Sequence, residues 1–269
     1  MVKTIKGYIW DSYIRFASQV IHRGDLNINH RNKRVCRIAI YHDISEKCLD
    51  NFEKQVKYYH NNYRILSLND FIVELNEGTK EDNSALCLTF DDAYKSIYQN
   101  AAPILDKYKI KPCIFVPVGF IDGEDNQWYI RDNFKANIKG GAMSWEDLKS
   151  LINRGYEIGS HSWSHVDFGS KGIDYGYELA DSRNHLQKML GQKIKYFAFP
   201  FGMERNLSFE AINKVKEYNY SRCFSGIRRN PEKNDFLLPR TYINPYWNEK
   251  IIECVLAGYF DKKKEKVHE

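Results

Sequence analysis

The run Leu86-Cys87-Leu88-Thr89-Phe90 is apolar, β-prone, and stops at two adjacent carboxylates, Asp91 and Asp92. A buried strand of this kind delivers its last residues to the rim of a sheet, which is where α/β proteins carry their chemistry. Neighbouring side chains on an extended backbone point to opposite sides. Two adjacent Asp residues can therefore do different jobs, one holding a cation while the other accepts a proton. Taken alone, the pair reads as the cap of a following helix, because Asp is favoured there and Ala93-Tyr94-Lys95-Ser96 can open one. The residues that reverse this reading lie farther along the chain.

Strand-like and helical segments alternate from residue 35 onward. Val35–Tyr41 reads as a strand ending in His42-Asp43. Helices are expected over 48–61 and over 69–77, the second capped by Asn69, with a short extended piece at 64–66 between them. After the Asp91-Asp92 strand come a helix over 96–108 and a strand over 113–118. Ser144 caps a helix to Asn153, with Glu146 and Asp147 in its first turn. A strand over 156–161 precedes a long helix over 175–190 that Gly191 closes. The strand 196–199 leads into Pro200-Phe201-Gly202. A helix over 208–218, a strand near 221–225, the segment Leu237–Tyr242 and a helix after Asn248 complete the chain. This alternation predicts parallel βα units closed, or nearly closed, into a barrel. Polar residues at successive strand ends fit a barrel's functional rim. The polar segment 121–142 is a long insertion expected to face the substrate.

Residues 1–34 are expected to form a helical extension and linker, and residues 35–269 the catalytic domain. In the extension, a helix over 8–22 would gather Ile9, Tyr13, Phe16, Val20 and Ile21 on one face. Either that face docks on the domain, or it makes a peripheral membrane contact near a lipid-linked substrate.

His161-Ser162-Trp163-Ser164-His165 sets two imidazoles four residues apart, directly after a strand. That spacing lets both reach one ion, although two surface His residues are its commoner meaning. With a carboxylate from another strand end, the set becomes two His and one Asp, which is a catalytic zinc set with an open position. An ion so held lowers the pKa of water from ~15.7 towards ~7 and polarises carbonyls. The second Asp is then free to act as a general base.

Thr89-Phe90-Asp91-Asp92, then Gly159-Ser160-His161-Ser162-Trp163-Ser164-His165, then Phe199-Pro200-Phe201-Gly202 resemble the successive motifs of the polysaccharide deacetylases, the NodB homology domain of carbohydrate esterase family 4. The resemblance covers residues 35–245, with the motifs in family order. It implies a distorted (β/α) barrel that removes acetyl groups from N-acetylated sugars with a divalent metal, usually Zn2+. By the same resemblance Asp91 is the base, Asp92, His161 and His165 are the metal ligands, and the backbone N–H of Phe201 donates to the oxyanion.

Two departures from the family pattern matter. The Arg that usually orients the base is replaced by Ala198, and Arg240, also at a strand end, can supply a guanidinium or serve as a structural ion-pair partner. The usual C-terminal general-acid His is absent, since after His185 only His268 remains. The branch that deacetylates poly-N-acetylglucosamine instead carries a His on its first strand. Tyr41-His42-Asp43-Ile44 resembles that motif and makes His42 the candidate acid for the leaving amine.

The expected activity is therefore N-deacetylation of a GlcNAc-like unit, in a polysaccharide or in a lipid-linked or nucleotide-linked glycan. Two alternatives stay open. One is an inactive carbohydrate-binding protein on the same fold, which intact Asp91, Asp92, His161 and His165 argue against. The other is a hydrolase of a non-sugar amide C–N bond, although such relatives tend to lose the metal ligands. The chain is 43% hydrophobic and 28% charged, with 14% aromatic residues and a net charge of +5. That is ordinary for a globular protein and lacks the basic stripe of a nucleic-acid binder. Six cysteines without a CxxC pair, and no apolar leader or membrane span, predict a reduced cytoplasmic protein. A lipid-linked substrate would be met at the inner face of the membrane.

Overall fold

The computed structural model describes residues 11–19, 35–78, 84–123 and 141–262. Strand β3 (Ala85–Asp91) is buried at every residue. It runs parallel to β1 (Cys36–Tyr41), from Cys36 beside Ala85 to Tyr41 beside Phe90. Its other edge is shared by β2 (Arg64–Leu66) over the first half and β4 (Cys113–Val116) over the last residues. From β4 the sheet continues through β5 (Glu157–Ser160), β6 (Tyr196–Ala198), β7 (Arg222–Phe224) and β8 (Leu237–Leu238), while β9 (Thr241–Tyr242) lies beyond β1. Every pairing is parallel, as helical crossovers require.

The two end strands, β8 and β9, are consecutive in the chain and separated only by Pro239 and Arg240. No ladder joins them among the described residues. The expected distorted barrel is thus a curled parallel sheet whose seam is spanned by two residues of covalent chain.

The helices are α1 (11–19), α2 (Leu49–Asn62), α3 (Leu68–Glu77), α4 (Ala102–Lys107), α5 (Val118–Ile121), α6 (Trp145–Asn153), α7 (Ser182–Leu190), α8 (Phe209–Glu217) and α9 (Glu249–Leu256). Two expected helices begin as π turns, Ile97–Ala101 before α4 and Gly176–Asp181 before α7. The cap of α3 is Ser67, whose hydroxyl accepts the Asp70 N–H at 3.1 Å, and not the expected Asn69. The Glu157 carboxylate also accepts the Leu68 and Asn69 N–H groups at 2.7 and 3.1 Å, placing a negative charge at the helix N-terminus. The expected capping of α6 by Ser144 is present as a full capping box with Asp147. The insertion 121–142 lies largely outside the described residues.

Period-2 alternation divides the sheet into an inner and an outer core. Ile38, Ala85, Cys87, Cys113, Phe115, Tyr196, Ala198, Phe224 and Leu238 face inward, where Leu68, Phe71 and Ile72 of α3 join them. Leu86, Leu88, Phe90, Ile114 and Val116 face outward under the surrounding helices. Gly159 belongs to the inner set because a Cβ there would lie 2.4 Å from Cε1 of Phe115.

The face of α1 that meets the domain differs from the expected stripe. Ile14 is buried, and Asp11 accepts hydrogen bonds from Trp247 Nε1 at 2.6 Å and Asn244 Nδ2 at 3.1 Å. These polar anchors set the helix's rotation and leave Tyr13 and Phe16 52% and 67% exposed, although Tyr13 keeps an edge contact with Phe260. Ile9, Val20, Ile21 and residue 34, on the near side of the expected boundary, lie outside the described residues. All six cysteines are unpaired. No described helix is long and apolar enough to cross a membrane.

Arg37 fastens the C-terminal segment to β1. Its guanidinium forms a bidentate pair with Asp261 at 2.8 and 2.6 Å and donates to the Leu256 carbonyl at 3.0 Å. Arg37→Ala takes the donor from the Leu256 carbonyl and leaves a partly exposed Asp261 that water can hydrate, and chemical denaturation should show a loss of about 2 kcal/mol. A loss under about 0.5 kcal/mol would show that the pair adds nothing beyond a surface salt bridge.

Candidate active site

The inner face of β3 carries Ala85, Cys87, Thr89 and Asp91 by the same alternation, so Asp91 sits at the mouth of the barrel above a column of small side chains. Arg240 reaches it from the seam. Nη1 and Nη2 donate to Oδ1 and Oδ2 of Asp91, both at 2.8 Å, while Nη1 also meets Thr89 Oγ1 at 3.2 Å. Arg240 Nε donates to the Ser225 carbonyl at 3.1 Å. The guanidinium lies over the rings of Phe115 and Phe224, 4.9 and 5.9 Å from their centroids. Planar, bidentate and stacked, it uses the properties that distinguish Arg from Lys.

Asp92, His161 and His165 are all buried and offer ligand atoms within 4.8 Å of one another. His161 Nε2 lies 3.6 Å and His165 Nε2 3.1 Å from Asp92 Oδ1. Oδ1 of Asp92 is buried with no donor in hydrogen-bonding geometry. A buried carboxylate oxygen left in this state and faced by two imidazole nitrogens fits a divalent cation better than it fits an apolar core. His161 Nδ1 pairs with the Ala198 carbonyl at 2.7 Å, which fixes the ring and turns Nε2 towards the cluster.

The backbone here is strained. Of the eight non-glycine residues with positive φ among the described residues, Asp92 (70°), Ala93 (49°), Ser162 (68°), His165 (56°) and Phe201 (60°) lie at this site. Left-handed non-glycine residues gather where surrounding contacts force them, commonly at functional sites. Gly202 follows with φ 61°, and a Cβ there would lie 2.5 Å from the Gly226 nitrogen. The Phe201 ring packs edge-on against His165, 4.9 Å between centroids, and is 51% exposed.

His42 directly follows β1, within electrostatic reach of Asp92 and Asp91. Its Nδ1 is buried without a partner, and its ring is tilted against Tyr242 at 6.0 Å. The structure thus brings Asp91, Asp92, His42, His161, His165, Phe201 and Arg240 to one end of the barrel. Sequence reasoning missed Thr89, the phenyl rings under Arg240, Tyr94 beside Asp92, and Glu178, which grips the loop between the two imidazoles. Phe115 and Phe224 fall on inward positions of their strands, which period counting could have found.

Burial alone would raise both carboxyls. For Asp91 the Arg240 charge overcomes burial, and for Asp92 the neighbouring His165 does so, leaving both below the usual carboxylate range. Burial also lowers His42, against the pull of Asp92 and Asp91. It pushes His161 down to about 4. Near neutral pH the site therefore offers ionised carboxylates and a neutral His161 with its Nε2 lone pair available, the protonation state that metal ligation requires.

The structure is a curled parallel α/β barrel with an Asp-His-His cluster at its C-terminal rim, a candidate metal site, and a second, Arg-clamped carboxylate beside it. The family model for polysaccharide deacetylases matches residues 78–221, and the chain belongs to that family. Among curated relatives it is similar to YxkH of Bacillus subtilis, 27% identical over 66% of this chain and 61% of that protein. It thus matches less than two thirds of that relative's length. It is also similar to the poly-β-1,6-N-acetyl-D-glucosamine N-deacetylase of Staphylococcus aureus, 26% identical over 75% of this chain and 69% of that one. The fold is that of the Streptococcus pyogenes deacetylase PplD solved with acetate, with a TM-score of 0.69, 20% identity, and coverage of 82% and 98%. IcaB from Ammonifex degensii gives a TM-score of 0.64 at 20% identity, covering 84% and 98%.

The lowered His161 pKa sets a pH dependence. Between the unfolded value near 6.5 and about 4, the unfolded chain binds a proton that the folded chain does not. Stability of the metal-free protein should therefore rise with pH across that window, by on the order of 2 kcal/mol from this group. Asp91 and Asp92 add the same sign at lower pH. Thermal melts between pH 7 and 4.5 test this, and His161→Gln should flatten the curve. A wild-type melting temperature that is level over the window would mean that the imidazole titrates normally.

Proposed function

We propose that this protein is a metal-dependent N-deacetylase that hydrolyses the acetamide of a GlcNAc-like unit in a glycan and releases acetate. The reading is carried by the opposition of two adjacent carboxylates, Asp91 held by Arg240 and Asp92 facing His161 and His165. A divalent ion held by Asp92, His161 and His165, zinc by the chemistry of the donor set, would supply Lewis acidity to the acetamide carbonyl and make water a nucleophile near neutral pH.

The remaining work belongs to the chain itself. Asp91 takes the proton of the attacking water. Two parallel N–H bonds from Arg240 fix its orientation and keep it ionised, so its low proton affinity is offset by position and permanent readiness. The Phe201 N–H is assigned to the developing oxyanion, a contact of a kind worth ~3 kcal/mol. His42 hands a proton to the departing amine as the C–N bond breaks. Burial opposes its charged form while Asp92 and Asp91 favour it, so its protonation depends on carboxylates staying ionised. Water adds across the C–N bond, giving acetate and a free sugar amine. The similarity to the Staphylococcus aureus enzyme supports a GlcNAc-containing glycan, in polymeric, lipid-linked or nucleotide-linked form.

Acetate release from poly-β-1,6-GlcNAc oligomers, chitooligosaccharides, lipid-linked GlcNAc and nucleotide-linked GlcNAc tests the reading. Release should occur with at least one member, stop with chelator and return with zinc. Sugar binding without acetate release from any member would favour the inactive-binder alternative. Asp91→Asn should lower turnover at least ~100-fold with zinc content unchanged. Zinc lost along with activity would mean that the two Asp roles are exchanged. His42→Ala should slow turnover ~100-fold and remove one limb of the pH–rate profile at unchanged zinc content. A wild-type profile would retire His42 as the acid.

A further inference from the structure

Glu178 is a buried carboxylate in the π turns Gly176–Asp181, a kind of distortion often found near functional sites. Its Oε2 accepts the backbone N–H groups of Trp163 and Ser164, each at 3.0 Å, and its Oε1 accepts the Ser164 hydroxyl. Trp163 and Ser164 are two of the three residues between the imidazoles. On the other side of this loop, the Ser162 and Trp163 carbonyls accept the Val118 and Gly119 N–H groups at 3.2 and 3.0 Å. Ser162 Oγ accepts the His165 N–H at 2.9 Å. Ser162 and His165 hold left-handed backbone angles that side chains other than glycine disfavour, so the loop keeps this form only under restraint.

We propose that Glu178 is the positioning residue of the metal site, clamping residues 161–165 in the form that aims His165 at Asp92. The inference rests on reading Asp92, His161 and His165 as a metal site. Three donors converge on Glu178, and its two oxygens answer all three. Gln can keep both backbone N–H groups on its amide oxygen and donate its NH2 to the Ser164 hydroxyl, so it preserves the clamp, whereas Ala removes it and Asp is one methylene too short. Without an acceptor there, two backbone N–H groups lose their partner, and the loop relaxes to recover hydrogen bonds elsewhere. His165 then leaves Asp92, while His161, fixed separately by the Ala198 carbonyl, stays.

Zinc alone is the probe, titrated into the full chain in competition with a chromophoric chelator. Glu178→Ala should weaken zinc binding 10–100-fold, the usual effect of removing a group that orients metal ligands, while Glu178→Gln, which can keep all three hydrogen bonds, should stay within a few-fold of wild type. Ser164→Ala, which loses only the hydroxyl bond, should weaken it about 3-fold. Val215→Ala is the control. It removes buried volume from α8 and should lower the melting temperature while leaving zinc affinity at the wild-type value. At saturating zinc, Glu178→Ala should recover most of the wild-type kcat. Wild-type affinity in folded Glu178→Ala overturns the proposal. Should that variant fail to fold, unchanged affinity in Ser164→Ala overturns it equally. A wild-type protein that binds no zinc sinks the metal reading itself, an outcome seen before any variant is compared.

Discussion

The bidentate pair between Arg240 and Asp91 fastens the seam of the sheet to the mouth of the barrel. It forms at the seam of the sheet, where β8 and β9 make no ladder, and it ties that seam to β3, the most buried strand. A buried ion pair of this kind adds little net stability, since desolvating two charges costs about what their attraction returns. Removing one partner is another matter, because the survivor is left charged in an apolar barrel. The pair therefore acts as a constraint: with both members present the mouth of the barrel has one low-energy arrangement. That is what a general base needs, since a misplacement of about 1 Å can cost orders of magnitude in rate.

The origin of that guanidinium explains a departure from the family pattern. By the resemblance, Ala198 falls where the family usually carries an Arg, and it faces inward on β6. Its short side chain leaves interior space to the rings of Phe115 and Phe224, over which the Arg240 guanidinium lies. Meanwhile the Ala198 carbonyl receives Nδ1 of His161. The position carries no charge, and its backbone orients the His161 imidazole. The charge arrives from the seam, at the same end of the barrel.

Much of this was legible in the sequence. The strand ends were visible because buried parallel strands are continuous apolar runs, and the imidazole pair because its members lie close in sequence. What escaped depends on contacts between distant segments. Arg240 did not escape, but the resemblance and not a local signal named it, and its meeting with Asp91 requires the barrel to curl. Glu178 is one acid among several in a helical pattern, and the π turn that carries it has no sequence periodicity of its own. The rotation of α1 was misread for a similar reason. An apolar stripe normally predicts the buried face, but Asp11 bonding to Trp247 and Asn244 outweighed it and turned Ile14 inward.

The division of labour between Asp91 and Asp92 has a more specific cause than the alternation of an extended strand. Had both residues continued β3, one side chain would enter the barrel mouth and the other the outer layer under the helices. The strand instead ends at Asp91, and Asp92 turns left-handed with φ 70°. That turn keeps the second carboxylate at the same mouth, so His161 Nε2 lies 3.9 Å from Asp91 and 3.6 Å from Asp92. Strain at one peptide thus converts a sheet's two-faced geometry into a single pocket with two carboxylates. The strain persists because Ala93, also left-handed, is buried and its carbonyl accepts the Met143 N–H at 2.9 Å. Two carboxylates adjacent in sequence share this mouth only because the backbone between them leaves the strand conformation.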